Sequence, residues 1–195
     1  QRILPLYGRS ILPELQATFD PKGRAGHARR LVLMHQLDPA AAREAVQQAL
    51  EQGSKEVRIA AIECLGESPD DLPFLLEQAR ARAKDVRTAA LKALGGSKSK
   101  DAVQVLCDAI GGADFTLAIE PIRASRNPAV LKALLEAANS QLESILSGAA
   151  KNKKKLGTLN ERMGIILECL RGRNDKKTEQ LLLAMFVQCE PLAAV

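Results

Sequence analysis

The sequence predicts an all-α protein of stacked helical hairpins, and three observations predict it. The first is composition. Hydrophobic residues make up 46% of the 195 residues, yet aromatics only 3%, with no Trp. Alanine and leucine dominate, and both favour helix over strand. The second is a segment that returns 29 residues later. The third is a helix-start signal, Asn or Asp next to Pro, that recurs along the chain.

The repeated segment is Val57-Arg58-Ile59-Ala60-Ala61-Ile62-Glu63-Cys64-Leu65-Gly66 against Val86-Arg87-Thr88-Ala89-Ala90-Leu91-Lys92-Ala93-Leu94-Gly95. Ile59, Ile62 and Leu65 follow helical spacing, with small alanines between them that let a second helix approach closely. Glu56 and Asp85 lie at the helix start, where the positive end of the dipole favours a carboxylate. Gly66 and Gly95 fall where a helix ends in a left-handed residue. Upstream, Arg30–Leu37 repeats the pattern at an offset of 28, with Leu31, Met34 and Leu37 in the apolar slots. Downstream, Ala118, Ile119 and Ile122 match Ala90, Leu91 and Leu94, and Pro121 is expected to kink that helix. Leu167-Glu168-Cys169-Leu170 echoes Ile62-Glu63-Cys64-Leu65 after a lengthened interval of 48 residues.

Each first helix is followed by a second. Asp38-Pro39 opens one to about Gln52, and Asp70-Asp71-Leu72-Pro73 opens one carrying Leu75, Leu76 and Ala79. Lys100-Asp101, Asn127-Pro128 and Asn174-Asp175 open three more, the second reaching about Leu146 and the last about Cys189. Ser10-Ile11-Leu12-Pro13 begins a partial hairpin. The expected units are 1–21 (partial), 22–53, 54–83, 84–112, 113–148 (extended) and 155–189, together one repeat domain. The initial Gln and the trailing Pro191–Val195 give the expectation of a fragment of a longer chain.

An acidic residue, then Val-Arg-x-x-Ala-Ala-x-x-x-Leu-Gly, a turn and Leu-Pro-x-Leu-Leu resembles the HEAT-like repeat superfamily. The likeness is to its short-repeat bacterial type, known from phycobilin lyase subunits. It rests on Asp85–Gly95 and on Leu72-Pro73-Phe74-Leu75-Leu76, and is most specific over about 54–111. The resemblance implies a right-handed α-α superhelix of about five hairpins, whose second helices line a concave binding surface. It also implies that Arg58 and Arg87 pair with acidic groups of neighbouring repeats, so that they and Asp85 are structural ladder residues.

Catalysis calls for a nucleophile beside a base, paired carboxylates or a metal cluster. Asp70-Asp71 is the adjacent acidic pair, and a helix-cap position explains it. His27 and His35 lie eight residues apart, too far for chelation at i and i+4. Gly95-Gly96 and Gly111-Gly112 are helix-end turns without a phosphate-loop pattern. Cys64, Cys107, Cys169 and Cys189 form no Cys-x-x-Cys pair and read as inert, reduced, near-core thiols, hence a cytoplasmic setting. No catalytic residue, metal ligand or cofactor is assigned. The chain reads as a non-enzyme, and no apolar run is long enough to span a membrane.

With 28 basic and 23 acidic residues, the net charge of +5 permits an acidic partner but does not require one. The candidate interaction residues are basic: Arg80, Arg82 and Lys84; Arg123 and Arg126; and Lys151, Lys153, Lys154 and Lys155 in the connection before the last unit. Arg24, Arg29 and Arg30 cluster early, and Arg171, Arg173, Lys176 and Lys177 late. Turn residues of stacked repeats align along one edge, which would make a basic ridge suited to phosphates. The aromatics, Tyr7, Phe19, Phe74, Phe115 and Phe186, sit mostly where a core wants them, so no base-stacking platform is expected. The reading is a protein–protein interaction scaffold with another protein as partner. The alternative is non-sequence-specific nucleic-acid binding through the ridge, and the resemblance adds a third, a bilin-lyase-like subunit. The irregular stretch from Pro121 to Lys155 is where specific recognition is expected first.

Overall fold

The computed structural model describes residues 4–66, 68–147, 153–173 and 175–189, with side chains over 8–66, 68–147, 157–173 and 175–184. The described residues contain eleven α-helices and no strand. The chain divides into two compact units, Gln1–Ser97 and Lys98–Val195.

Unit 1 holds α1 (Leu12–Ala17), α2 (Ala25–Leu37), α3 (Pro39–Gln52), α4 (Lys55–Glu63), α5 (Leu72–Gln78) and α6 (Lys84–Leu94). The first helices α2, α4 and α6 stack in order, while α3 packs on α2 and α4, and α5 on α6. The α4–α6 approach is close because its surface is alanine. Val57, Ala60, Ala61, Ile62 and Cys64 are buried on α4 and its end, and Ala89, Ala90, Leu91, Ala93 and Leu94 on α6. Ile59 and Leu65 are only half-buried. The buried stripe therefore runs through Val57, the alanines, Ile62 and Cys64, with positions 59 and 65 at its margin.

The two repeat glycines differ. Gly66 has φ 106, and a Cβ there would lie 2.7 Å from the carbonyl oxygen of Ala93, so it is needed both for its backbone angle and for the approach of α6. Gly95 has φ −59, an ordinary right-handed angle, which corrects the expectation of a left-handed end. The last turn of α6 still closes through Gly95, whose N–H donates to the carbonyls of Leu91 and Lys92.

Unit 2 holds α7 (Lys100–Gly111), α8 (Ile119–Ala124), α9 (Pro128–Leu146), α10 (Lys153–Leu170) and α11 (Lys176–Cys189). Here the second helices stack, α7 on α9 and α9 on α11, while α8 and α9 pack on α10. Pro121 does not kink a running helix. It sits buried in the first turn of six-residue α8, preceded by a 3-10 turn over Phe115–Leu117. In that first turn its missing N–H costs nothing. Lys153–Lys155 begin α10 instead of lying in a connection.

The capping groups follow the sequence signals in part. Asp38 Oδ1 accepts from the Ala41 N–H at 3.1 Å, Asn127 Oδ1 from Ala129 at 2.9 Å, and Asp175 Oδ1 from Lys177 and Thr178 at 3.1 and 3.0 Å. Before α7 the cap is Ser99, which accepts from the Asp101 N–H. Before α5, Ser68 accepts from the Asp70 N–H and caps the 3-10 turn Pro69–Asp71, while Asp71 holds the N-cap position of α5 without a side-chain cap bond. No helix of the described residues is long and apolar enough to cross a membrane.

Candidate functional site

α5 is half the length of α3, about 10 Å shorter at 1.5 Å per residue. The shortfall leaves a cleft of about 760 Å³ between these second helices of unit 1. Val46 and Leu50 of α3 form one wall, and Cys64, Leu65 and Phe74 another, with His35 at the edge. Phe74 is 36% exposed, the one large aromatic that the described residues leave so open. This departs from the expectation that the aromatics serve the core. Across the mouth, Arg43 Nη2 meets Asp71 Oδ1 at 3.4 Å, so Asp71 keeps its place at the start of α5 but turns its carboxylate to a rim ion pair. Asp70 stands beside it, exposed.

The arginines expected to face acidic groups of neighbouring repeats mainly donate to nearby carbonyls. Arg58 Nη2 reaches the Gly53 oxygen at 3.4 Å, and Arg87 Nη1 the Ala81 and Arg82 oxygens at 2.9 and 3.0 Å. These are carbonyls of the preceding turn, which helix and strand bonds leave open. Asp85 instead pairs with Lys55 at 2.6 Å, and hydrogen bonding to Lys55 holds its carboxyl below the ordinary range. Lys92 meets Glu63 at 2.9 Å, and Arg9 meets Asp38 at 3.6 Å. Glu63 and Lys92 occupy the same slot of the two aligned segments. Opposite charges in matching slots were the available sequence signal for this pair.

The basic candidates divide between the units. In unit 1, Arg80, Arg82 and Lys84 are exposed around the α5–α6 turn. In unit 2, Arg123 and Arg126 are exposed, and the fold brings Arg171 and Arg173 to them. Arg123 and Arg171 share Glu168 Oε1 at 3.5 and 3.7 Å. Arg173 donates to the carbonyls of Ile122 and Ser125 at 3.0 and 2.8 Å and, through Nε, to Cys169 at 3.3 Å. Burial lowers the Arg173 guanidinium from its ordinary value, and the charge of Arg126 lowers it further. Lys151 lies outside the described residues, as do the side chains of Lys153, Lys154 and Lys155.

Arg162 was not singled out by sequence. Its guanidinium lies 5.3 Å over the ring of buried Phe115 and donates to the Ile110 oxygen at 2.5 Å. Only its helical spacing three residues before Ile165 placed it near an apolar face.

Cys64 and Cys169 are buried and Cys107 half-buried, all as free thiols, and burial raises Cys107 and Cys169. Both therefore stay protonated near neutrality. Cys189 has no described side chain. His27 Nδ1 accepts from the Asp20 N–H at 3.0 Å, its ring tilted 6.4 Å from Phe19. Among the described residues no group of His, Cys, Asp and Glu has the arrangement to hold a metal ion.

Residues 44–124, from within α3 to the end of α8, match the family described as HEAT repeats. The matched stretch is less than half of the chain and contains both copies of the Val-Arg segment. No curated protein and no solved structure matches the chain.

Proposed function

We propose that the chain is a protein–protein interaction scaffold or adaptor built from HEAT-like repeats, and that the α3–α5 cleft of unit 1 receives a side chain of its protein partner. The observation that carries this is the cleft itself: an apolar floor with an exposed Phe74, bordered by the Arg43–Asp71 pair. Apolar anchors seated in such clefts supply most of the binding energy at protein interfaces. HEAT repeats are generally interaction scaffolds and typically not enzymes, and residues 44–124 match them. On this reading each unit is a stretch of right-handed superhelix, the repeat bounds are those expected from sequence, and Arg58, Arg87 and Asp85 are structural. A bacterial, cytoplasmic setting belongs to the same proposal.

The test compares the parent chain with a Leu50→Glu/Phe74→Glu variant whose helicity is verified by circular dichroism. A partner captured by the parent, identified and then purified should bind at moderate salt and lose the variant. Retention of that partner by the variant removes the cleft from the proposal.

A second reading, phosphate-backbone binding, draws on the exposed Arg80, Arg82 and Lys84, with Lys151–Lys155. It expects affinity for random duplex that falls steeply with salt and weakens on charge reversal at these positions. The phycobilin-lyase-type likeness is the third; visible absorbance after incubation with a bilin is expected under it alone.

A further inference from the structure

In unit 2 several arginines gather around too few carboxylates. Arg123 and Arg171 divide one oxygen of Glu168 between them, and their side chains remain 56% and 76% exposed. Arg126 has no carboxylate partner among the described residues and directly follows Ser125, whose carbonyl accepts from Arg173 at 2.8 Å. Asp175, the other carboxylate near Arg173, is already engaged. Its Oδ1 accepts from two N–H groups at the start of α11, and its Oδ2 from Thr178 Oγ1 at 2.5 Å.

Arg173 is the foundation rather than the contact surface. Three main-chain carbonyls take its donors, two of them at the end of α8. It thereby ties the segment that carries Arg123 and Arg126 to the end of α10, from which Arg171 projects. The exposed guanidiniums are thus held on an anchored turn instead of a free loop, and little ordering is left for a ligand to impose.

We propose that Arg123, Arg126 and Arg171 form a binding site for a phosphate monoester dianion. Three planar guanidinium forks offer more donors than a carboxylate has oxygens, and a phosphate presents three strong acceptors. A second negative charge answers the excess of arginine over Glu168. A nucleic-acid strand fits less well. It requires a track of phosphate contacts, and Phe115, the aromatic of unit 2 whose side chain is described, is buried beneath Arg162 and offers no face to a base. This site is independent of the α3–α5 cleft, so either can fail alone.

Titration of the full chain with inorganic phosphate, followed by the arginine Nε–H resonances, tests it. Saturable shifts at Arg123, Arg126 and Arg171 are expected. Arg126→Gln and Arg171→Gln should each weaken binding by about tenfold, the loss of one charged hydrogen bond. Arg80→Gln in unit 1 should leave binding unchanged. Affinity for a phosphate monoester should rise between about pH 5 and about pH 7, as it takes its second charge. A phosphoserine peptide forms the second arm: equal affinity assigns the site to small phosphate compounds, tighter affinity to a phosphorylated protein. Equal phosphate binding by parent and both variants overturns the proposal. So does a random duplex that outcompetes phosphate and depends as much on Arg80, Arg82 and Lys84 as on this patch.

Discussion

In unit 1 consecutive hairpins are joined by side-chain charge pairs one repeat apart: Arg9–Asp38, Arg43–Asp71, Lys55–Asp85 and Glu63–Lys92. In unit 2 one such pair, Arg123–Glu168, stands beside joints of another kind: guanidiniums donated to main-chain carbonyls about 50 residues away, Arg162 to Ile110 and Arg173 to Ile122 and Ser125. The difference follows from regularity. Equal repeats place matching slots opposite one another, so opposite charges in those slots pair across the stack. Six-residue α8 cannot cover the length of eighteen-residue α10, and its last carbonyls find no helical partner. A long side chain from the turn after α10, Arg173, satisfies them. Where the repeat keeps its period, surface charge trims it; where the period fails, half-buried guanidiniums hold it.

The strongest way to break this comparison is through glycine. Gly66 and Gly172 both have positive φ, but only the Cβ at Gly66 meets backbone. Gly66→Ala should destabilise unit 1 by about 3 kcal/mol, backbone strain plus overpacking against Ala93. Gly172→Ala in unit 2 bears the strain alone, about 1 kcal/mol. Urea denaturation gives the totals, and hydrogen exchange resolved by peptide shows which unit loosens. Equal effects would mean that the two units close on their neighbours in the same way.

Next in size is Arg173→Met. It keeps much of the packing but leaves three carbonyls without their donor, at a cost of about 2 kcal/mol. Faster exchange should appear in α8 and α10 and leave α4 and α6 as they were. Smaller again is Lys92→Glu, which sets two carboxylates in matching slots. Its pair is partly exposed, so the loss should be about 1 kcal/mol or less, and Glu63→Lys in the same chain should restore it. Failure of that reversal would show that the pair is incidental to the stack.

How far these features could be read in advance follows the same division. The helices of unit 1 and their order were legible, because alanine spacing and Asp38-Pro39 are local signals. α9 was legible over its full length for the same reason, from Asn127-Pro128 onward. The right-handed end at Gly95 was not, since the segment that predicts a left-handed one is shared with Gly66 while the backbone differs. Nor was the cleft, which depends on how many turns α5 makes, and a helix end has a weaker signature than a helix start. Arg173 could be counted among late basic residues, but its role arises from carbonyls some 50 residues distant. A one-dimensional pattern shows no such need.

The smallest expected effect concerns pH and the pair at the start of α4 and α6. Hydrogen bonding to Lys55 holds the Asp85 carboxyl below its ordinary 3.8, and Asp85 in turn raises Lys55 above 10.5. A carboxylate whose folded value is lowered contributes stability above its ordinary value and loses it as the pH falls through the folded one. An amine whose folded value is raised contributes below its ordinary value and loses it as the pH climbs through the folded one. The pair therefore stabilises unit 1 across the whole interval between 3.8 and 10.5, with losses beyond both ends. Asp85→Asn should lower the melting temperature slightly at neutral pH, and the gap to the parent should close in acid below the carboxylate range. About 1 M salt should narrow it as well, because the Debye length then shrinks to about 3 Å and both groups stand in solvent. The three carbonyl bonds of Arg173 involve no titrating acceptor, so the deficit of Arg173→Met should persist through the same acid titration. If acid and salt erase both deficits alike, the two units are held by the same electrostatics after all, and the contrast between surface pairs and half-buried donors fails.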